Sequence, residues 1–298
     1  MSQIFADFTA FWLDFHCSGL ALSTKCGYLS TLRRHVWPII GPKNLAEISP
    51  GDILACLAPL CARGQTREAQ LVLVVIRAAL ADAQRMGLIA SNPAALLRPP
   101  RHERRPTPYW TPDELARFLR SQRGAPLYPV WLLAACCGLR RGELLGLRWS
   151  DVDLREAHLT VCSQRVTVAR QVVTGPPKSA AGRRTLSLAP PVRASLASLR
   201  RRNPWAVYVL CHEDGTPYSA QQLRTALDAA TASCGLHHIG IHGLRHSMAA
   251  AAVAAGVELR VLQGILGHAH VSVTADIYAH VAPEVAADAL DSVAKVLV

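Results

Sequence analysis

Apolar residues along the first hundred positions recur at helical spacing, with Ile4, Phe8, Phe11, Trp12 and Phe15 marking one core-facing stripe of an opening helix. A second helix is predicted from about Ser23 to Val36. Ser49, Pro50 and Asp52 supply an N-cap, a proline at the first helical position and an acid at the third, so a third helix opens there and ends before Gly64. Gln65 to Met86 reads as a long fourth helix; Gly87 stops it, and Asn92-Pro93 cannot continue it. The stretch Arg98 to Pro108 is dense in proline and arginine, resists both helix and sheet, and marks a basic linker. Its composition fits a solvated connector and equally a strap along a phosphate backbone.

Thr111 to Glu114 forms another capping box, so a second domain opens with its own helix, and helices follow through Leu147. Between Ala157 and Leu188 the period shifts to two. His158–Val161, Arg165–Val168 and Arg184–Leu188 are short, β-branched and alternating, which predicts a small three-stranded antiparallel sheet. Helices then return over Ser219–Cys234, Leu244–Ala255 and Leu259–Leu266. Val285, Ala289, Leu290, Val293, Ala294 and Leu297 form an apolar stripe behind Pro283 and predict a short C-terminal helix. The expected fold is mostly α: a four-helix domain over 1–98, the linker over 99–108, and an α+β domain over 109–298 carrying the small sheet.

Composition sharpens this only in part. Half of the 298 residues are hydrophobic and 6% aromatic, which suits packed helices and excludes a disordered chain. A formal charge of +11 admits a polyanionic partner such as nucleic acid, because each phosphate neutralised releases counterions; plain solubility explains it equally. The nine cysteines make an odd set without a Cys-x-x-Cys pair, which reads as reduced thiols of a cytoplasmic protein. No targeting segment and no apolar run long enough to cross a membrane is visible.

Four separated fragments carry the chemistry: Cys137 to Leu144 around Arg140 and Glu143, Lys178 after Gly175-Pro176-Pro177, His242-Gly243-Leu244-Arg245, and Leu266-Gly267-His268 followed by Tyr278. A phosphodiester under attack gathers negative charge on its non-bridging oxygens, and a planar guanidinium answers with two parallel hydrogen bonds and a permanent charge. Arg140 and Arg245 suit that task, while Arg141, Arg148 and Arg184 read as ordinary surface ion pairs. Glu143, one turn beyond Arg140, is placed to orient it. His242 shares a helical face with Arg245 and could exchange a proton with a hydroxyl, and His268 could donate to the same phosphate. Lys178, in what reads as the hairpin between the second and third strands, could protonate a leaving oxygen.

Taken in order and spacing, these fragments resemble the tyrosine recombinase (phage integrase) family, in its two-domain, Xer-like form. The resemblance implies that the first domain is a core-binding, SAM-like DNA-binding module, that the catalytic set is Arg140, Lys178, His242, Arg245, His268 and Tyr278, and that no metal or nucleotide cofactor is used. Tyr278 would be the nucleophile of a 3′-phosphotyrosyl intermediate, which keeps the bond energy so that strands can rejoin through a Holliday junction. It further implies two domains closing as a C-shaped clamp on double-stranded recombination sites, a tetramer on DNA, and a C-terminal helix that docks on a neighbouring protomer, with any accessory protein unspecified. Because the chain opens directly on the core-binding candidate, no separate arm-binding domain is expected. Two other readings stand beside this one. A type IB topoisomerase uses the same chemistry to relax DNA, and Cys234, His237, His238, His242 and His246 lie close enough together to suggest a zinc-dependent DNA-binding module.

Overall fold

In the computed structural model, residues 3–102, 107–169 and 171–267 are described. His268, Tyr278, the predicted C-terminal helix and part of the basic linker lie outside them. The chain divides into two compact units, residues 1–105 and 106–298.

The first unit is helical: α1 (Phe5–His16), α2 (Leu22–Thr31), α3 (Trp37–Ile40), α4 (Pro50–Ala62) and α5 (Thr66–Arg85). A π-helical turn, Leu32–Val36, joins α2 to α3, so the predicted second helix runs on to Ile40. Pro38 accounts for the widened turn, since it has no N–H to give the preceding turn and its ring crowds the carbonyl there. Ser49 caps α4 through Asp52, with Pro50 in the first turn, as its sequence predicts. The core stripe of α1 is rotated from the expected one: Phe5, Phe8 and Trp12 are buried, whereas Ile4, Phe11 and Phe15 are exposed. Phe5, Phe8 and Trp12 keep a three-and-four spacing and join one core cluster, and Phe11 falls about a quarter-turn and Phe15 about a seventh of a turn from their mean direction.

A buried carboxylate ties α1 to α5. Asp82 Oδ2 accepts from Trp12 Nε1 at 2.7 Å and pairs with His16 Nδ1 at 2.8 Å, and Arg85 pairs with Oδ1. Burial pushes the Asp82 carboxyl up, but bonds from Trp12, Arg85 and His16 outweigh it and hold the group below its ordinary value. Beyond α5 the chain turns back along it. Gln70 Nε2 donates to Pro100 O at 2.8 Å and Thr66 Oγ1 meets His102 Nδ1 at 2.9 Å, so the chain is pinned to this unit as far as residue 102.

The second unit opens on α6 (Pro112–Ser121), capped by Thr111 and Glu114 in the expected box, then α7 (Tyr128–Cys137) and α8 (Arg141–Gly146). Five short strands follow: β1 (Val152–Asp153), β2 (His158–Val161), β3 (Gln164–Val168), β4 (Gln171–Gly175) and β5 (Arg184–Ser187). Helices α9 (Pro190–Arg202), α10 (Ala220–Ser233), α11 (Ile241–Ala254) and α12 (Leu259–Leu266) complete the described part. A three-stranded antiparallel sheet is present, but its members are β1, β2 and β5, with Leu159 paired to Val152 and to Leu186. The segment expected as its middle strand instead pairs with β4 in a separate hairpin, Gln164 opposite Gly175. That hairpin lies on α8, where Ser163 Oγ donates to Gly146 O at 2.9 Å. Lys178 therefore sits in the connection between the hairpin and β5 rather than at a hairpin tip. Leu159, Val161 and Leu186 turn inward onto a core built around Trp110, Phe118 and Trp131. A smaller cluster of Met248, Val253, Leu262 and Leu266 packs α12 on α11.

Candidate active site

Two helices end at the same place. Both α7 and α12 are closed by a glycine in the left-handed conformation, Gly138 at φ 60° and Gly267 at φ 61°, which breaks the helix and leaves its last carbonyls without intrahelical donors. A Cβ on Gly138 would stand 2.8 Å from Leu266 Cδ2, so the two ends are in contact.

Arginines fill the orphaned acceptors. Arg245, on α11 and only 5% exposed, donates from Nη1 to Gly138 O and from Nη2 to Leu266 O. Arg140, just ahead of α8, donates from Nη2 to Gly267 O at 2.7 Å and from Nη1 to Glu143 Oε1 at 2.7 Å. Its backbone N–H donates to Glu143 Oε2 at 2.9 Å, so the carboxylate fixes both the main chain and the side chain of Arg140. The negative ends of two helix dipoles thus offset guanidinium charge that would otherwise repel. Burial, then the neighbouring Arg140, push the Arg245 group down to about 9, where it is still cationic at neutral pH.

Arg184 was expected on the surface and is not there. Its side chain is 7% exposed and spans Glu143, Gly182 O and Ile265 O. Among the described residues, three guanidinium groups thus surround one buried carboxylate. Burial alone would raise the Glu143 carboxyl, but Arg184 and then Arg140 hold it below the ordinary value, ionised.

His242 is in the first turn of α11, one turn before Arg245. Partial burial of its ring and the charges of Arg245, Arg141 and Arg140 hold the imidazole below its ordinary value, so at neutral pH it is uncharged and able to accept a proton. Lys178 is exposed and joins none of these bonds; its segment reaches the cluster through Gly182 O. Gly267, immediately before His268, contributes its carbonyl directly. The five residues that suggested zinc are not gathered. Cys234 meets Ser121, His237 faces Glu114 and His238 pairs with Asp228, and no metal-holding group of His, Cys, Asp or Glu occurs among the described residues.

Residues 110–284 match the Phage integrase family, and residues 5–100 match the Phage integrase central domain. A tyrosine recombinase XerC from Mycobacterium bovis is 32% identical over 225 residues, covering 70% of each chain. A XerC-like tyrosine recombinase from Caldanaerobacter subterraneus is 26% identical over 204 residues, 60% of this chain and 52% of that protein, so this chain spans about half its length. The solved Tn1549 transposon integrase, in complex with a circular intermediate DNA, has the same fold, with a TM-score of 0.83 at 18% identity over 98% of this chain and 100% of that one.

Proposed function

Because the chain belongs to the phage integrase family of tyrosine recombinases, enzymes that cleave and rejoin DNA, we propose that it exchanges strands between two defined sites through a 3′-phosphotyrosyl link at Tyr278. The observation that carries this reading is that Arg140 and Arg245, far apart in sequence, converge on the carbonyls of Leu266 and Gly267, next to His268. Each guanidinium has five N–H donors and directs two at described partners, so each keeps donors for the oxygens of a phosphate.

In the proposed step, the Tyr278 oxygen bonds to phosphorus as the bond to the 5′ oxygen breaks. The tyrosine proton leaves toward neutral His242, and Lys178 supplies a proton to the departing oxygen. Arg140, Arg245 and His268 neutralise the charge that gathers on the non-bridging oxygens. Rejoining is the same path reversed with a new 5′ hydroxyl, so the phosphodiester count is unchanged and no nucleotide is consumed. Four protomers on two sites, linked by the C-terminal segment, would pass through a Holliday junction. A relaxing topoisomerase would share the chemistry of one protomer but not this pairing.

The test is covalent capture on a nicked suicide substrate. Wild-type protein should become linked to DNA, and Tyr278→Phe should bind the same DNA yet form no link, because one oxygen is missing while the phosphate contacts persist. A covalent complex from Tyr278→Phe would overturn the assignment. Recombination confined to paired sites, against relaxation of any supercoiled plasmid, separates the two activities.

A further inference from the structure

We infer that Arg184 is a positioning residue for cleavage, which saturates Glu143 so that Arg140 stays turned toward the scissile phosphate. This rests on the reading of Arg140 and Arg245 as the phosphate clamp. Each oxygen of a carboxylate accepts about two hydrogen bonds. Both Glu143 oxygens are filled in this way. Oε1 accepts from Arg140 Nη1 at 2.7 Å and Arg184 Nη1 at 3.2 Å, and Oε2 accepts from the Arg140 backbone at 2.9 Å and Arg184 Nη2 at 3.0 Å. Arg140 therefore gives Glu143 only one side-chain nitrogen, Nη1, and its Nη2 goes to Gly267 O.

Without Arg184, two acceptor positions on a buried anion would open. The nearest cation able to fill them is Arg140, whose fork matches a carboxylate with both nitrogens. That pairing would draw its second nitrogen off Gly267 O and turn the guanidinium away from the phosphate. Arg184 also donates from Nε to Ile265 O at 2.6 Å, so the same side chain holds the end of α12 against α8. A lysine cannot substitute, because an ammonium has no fixed fork and cannot serve both carboxylate oxygens and a carbonyl in one plane.

The experiment compares wild type, Arg184→Gln, Arg184→Lys, Arg140→Ala and Tyr278→Phe on three nicked half-site DNAs. One carries the natural phosphodiester, one a methylphosphonate at the scissile position, and one a bridging 5′ sulfur. A methylphosphonate has one charged oxygen fewer and relies less on the clamp, whereas a sulfur leaving group relies less on the acid. On the natural DNA both Arg184 variants should bind like wild type but cleave roughly a hundredfold more slowly, as expected for a displaced catalytic group. On the methylphosphonate their deficit relative to wild type should shrink about tenfold or more, in parallel with Arg140→Ala, because the lost interaction is with phosphate charge. The sulfur substrate should not narrow it.

Loss of binding in step with cleavage by both variants would make Arg184 merely structural and overturn the inference; if only Arg184→Gln fails to fold, Arg184→Lys decides. An equal deficit on all three DNAs, or rescue by sulfur, would also overturn it. Full activity of Arg140→Ala would instead overturn the clamp reading beneath it, and covalent capture by Tyr278→Phe the assignment of the nucleophile.

Discussion

At Arg245 two guanidinium nitrogens are bound to Gly138 O and Leu266 O, and under the proposed clamp the remaining donors serve a phosphate. Arg245→Lys keeps the charge but has three donors on a flexible stem, so it cannot hold two carbonyls and two phosphate oxygens at once. Cleavage should fall by about two orders of magnitude or more in single-turnover assays, with DNA binding in gel shifts little changed. A second expectation concerns protons. His242 and His246 are both held below 6.5, first by burial and then by neighbouring positive or titrating groups. The unfolded chain therefore takes up protons at a pH where the folded one does not, and stability falls as the pH drops through about 6.5 toward the lowered values. Thermal melts from pH 7.5 to 5.5 should show this loss, and a His242→Asn/His246→Asn protein should show a flatter curve. The candidate fragments around Arg140 and Arg245 were legible at this scale because each is written within a few residues. Arg184 was not, since an arginine in an alternating strand looks solvated until β5 is seen against α8 and α12.

At the scale of elements, the capping boxes of α4 and α6 could be read directly, because a box is written within four residues. Strand partners could not. Alternation shows which face of β3 turns inward but not which strand lies beside it, and the hairpin is closed by Ala169 in the left-handed region rather than by a recognisable glycine turn. The glycine at the end of α12 shows how closely this unit is built. Gly256 and Gly267 both have positive φ, but a Cβ on Gly256 meets nothing within 4 Å, whereas one on Gly267 would stand 2.7 Å from Ala181 O and 3.1 Å from Arg184. Gly256→Ala should therefore lose about 1 kcal/mol, the backbone term alone. Gly267→Ala should lose more in the same denaturant titration and lower cleavage as well. Equal losses would show that the end of α12 is free to shift.

Over the whole molecule, each unit has its own core, the first around Trp12 and α5, the second around Trp110 and Trp131. Residues 1–102 and 107–298, expressed apart, should each unfold cooperatively. Asp82→Ala should destabilise only the first, by about 2 kcal/mol, because it leaves the Trp12 indole N–H buried without its acceptor. In the full chain, a calorimetric shift by Asp82→Ala of the transition belonging to residues 107–298 would overturn this division, and an unchanged first transition would show that Asp82 carries little of that fold.

The surplus of positive charge around Glu143 has a meaning beyond the reaction step. A cluster of like charges held by helix ends and one carboxylate is locally frustrated: the sequence accepts mutual repulsion there that a neutral cluster of the same shape would avoid. Under the proposed clamp, an oxyanion bound in that field would relieve the repulsion, and its binding free energy would add to the stability of the fold. On the proposed reading the scissile phosphate would thus be structural partner as well as substrate, and DNA carrying it should raise the melting temperature of this unit.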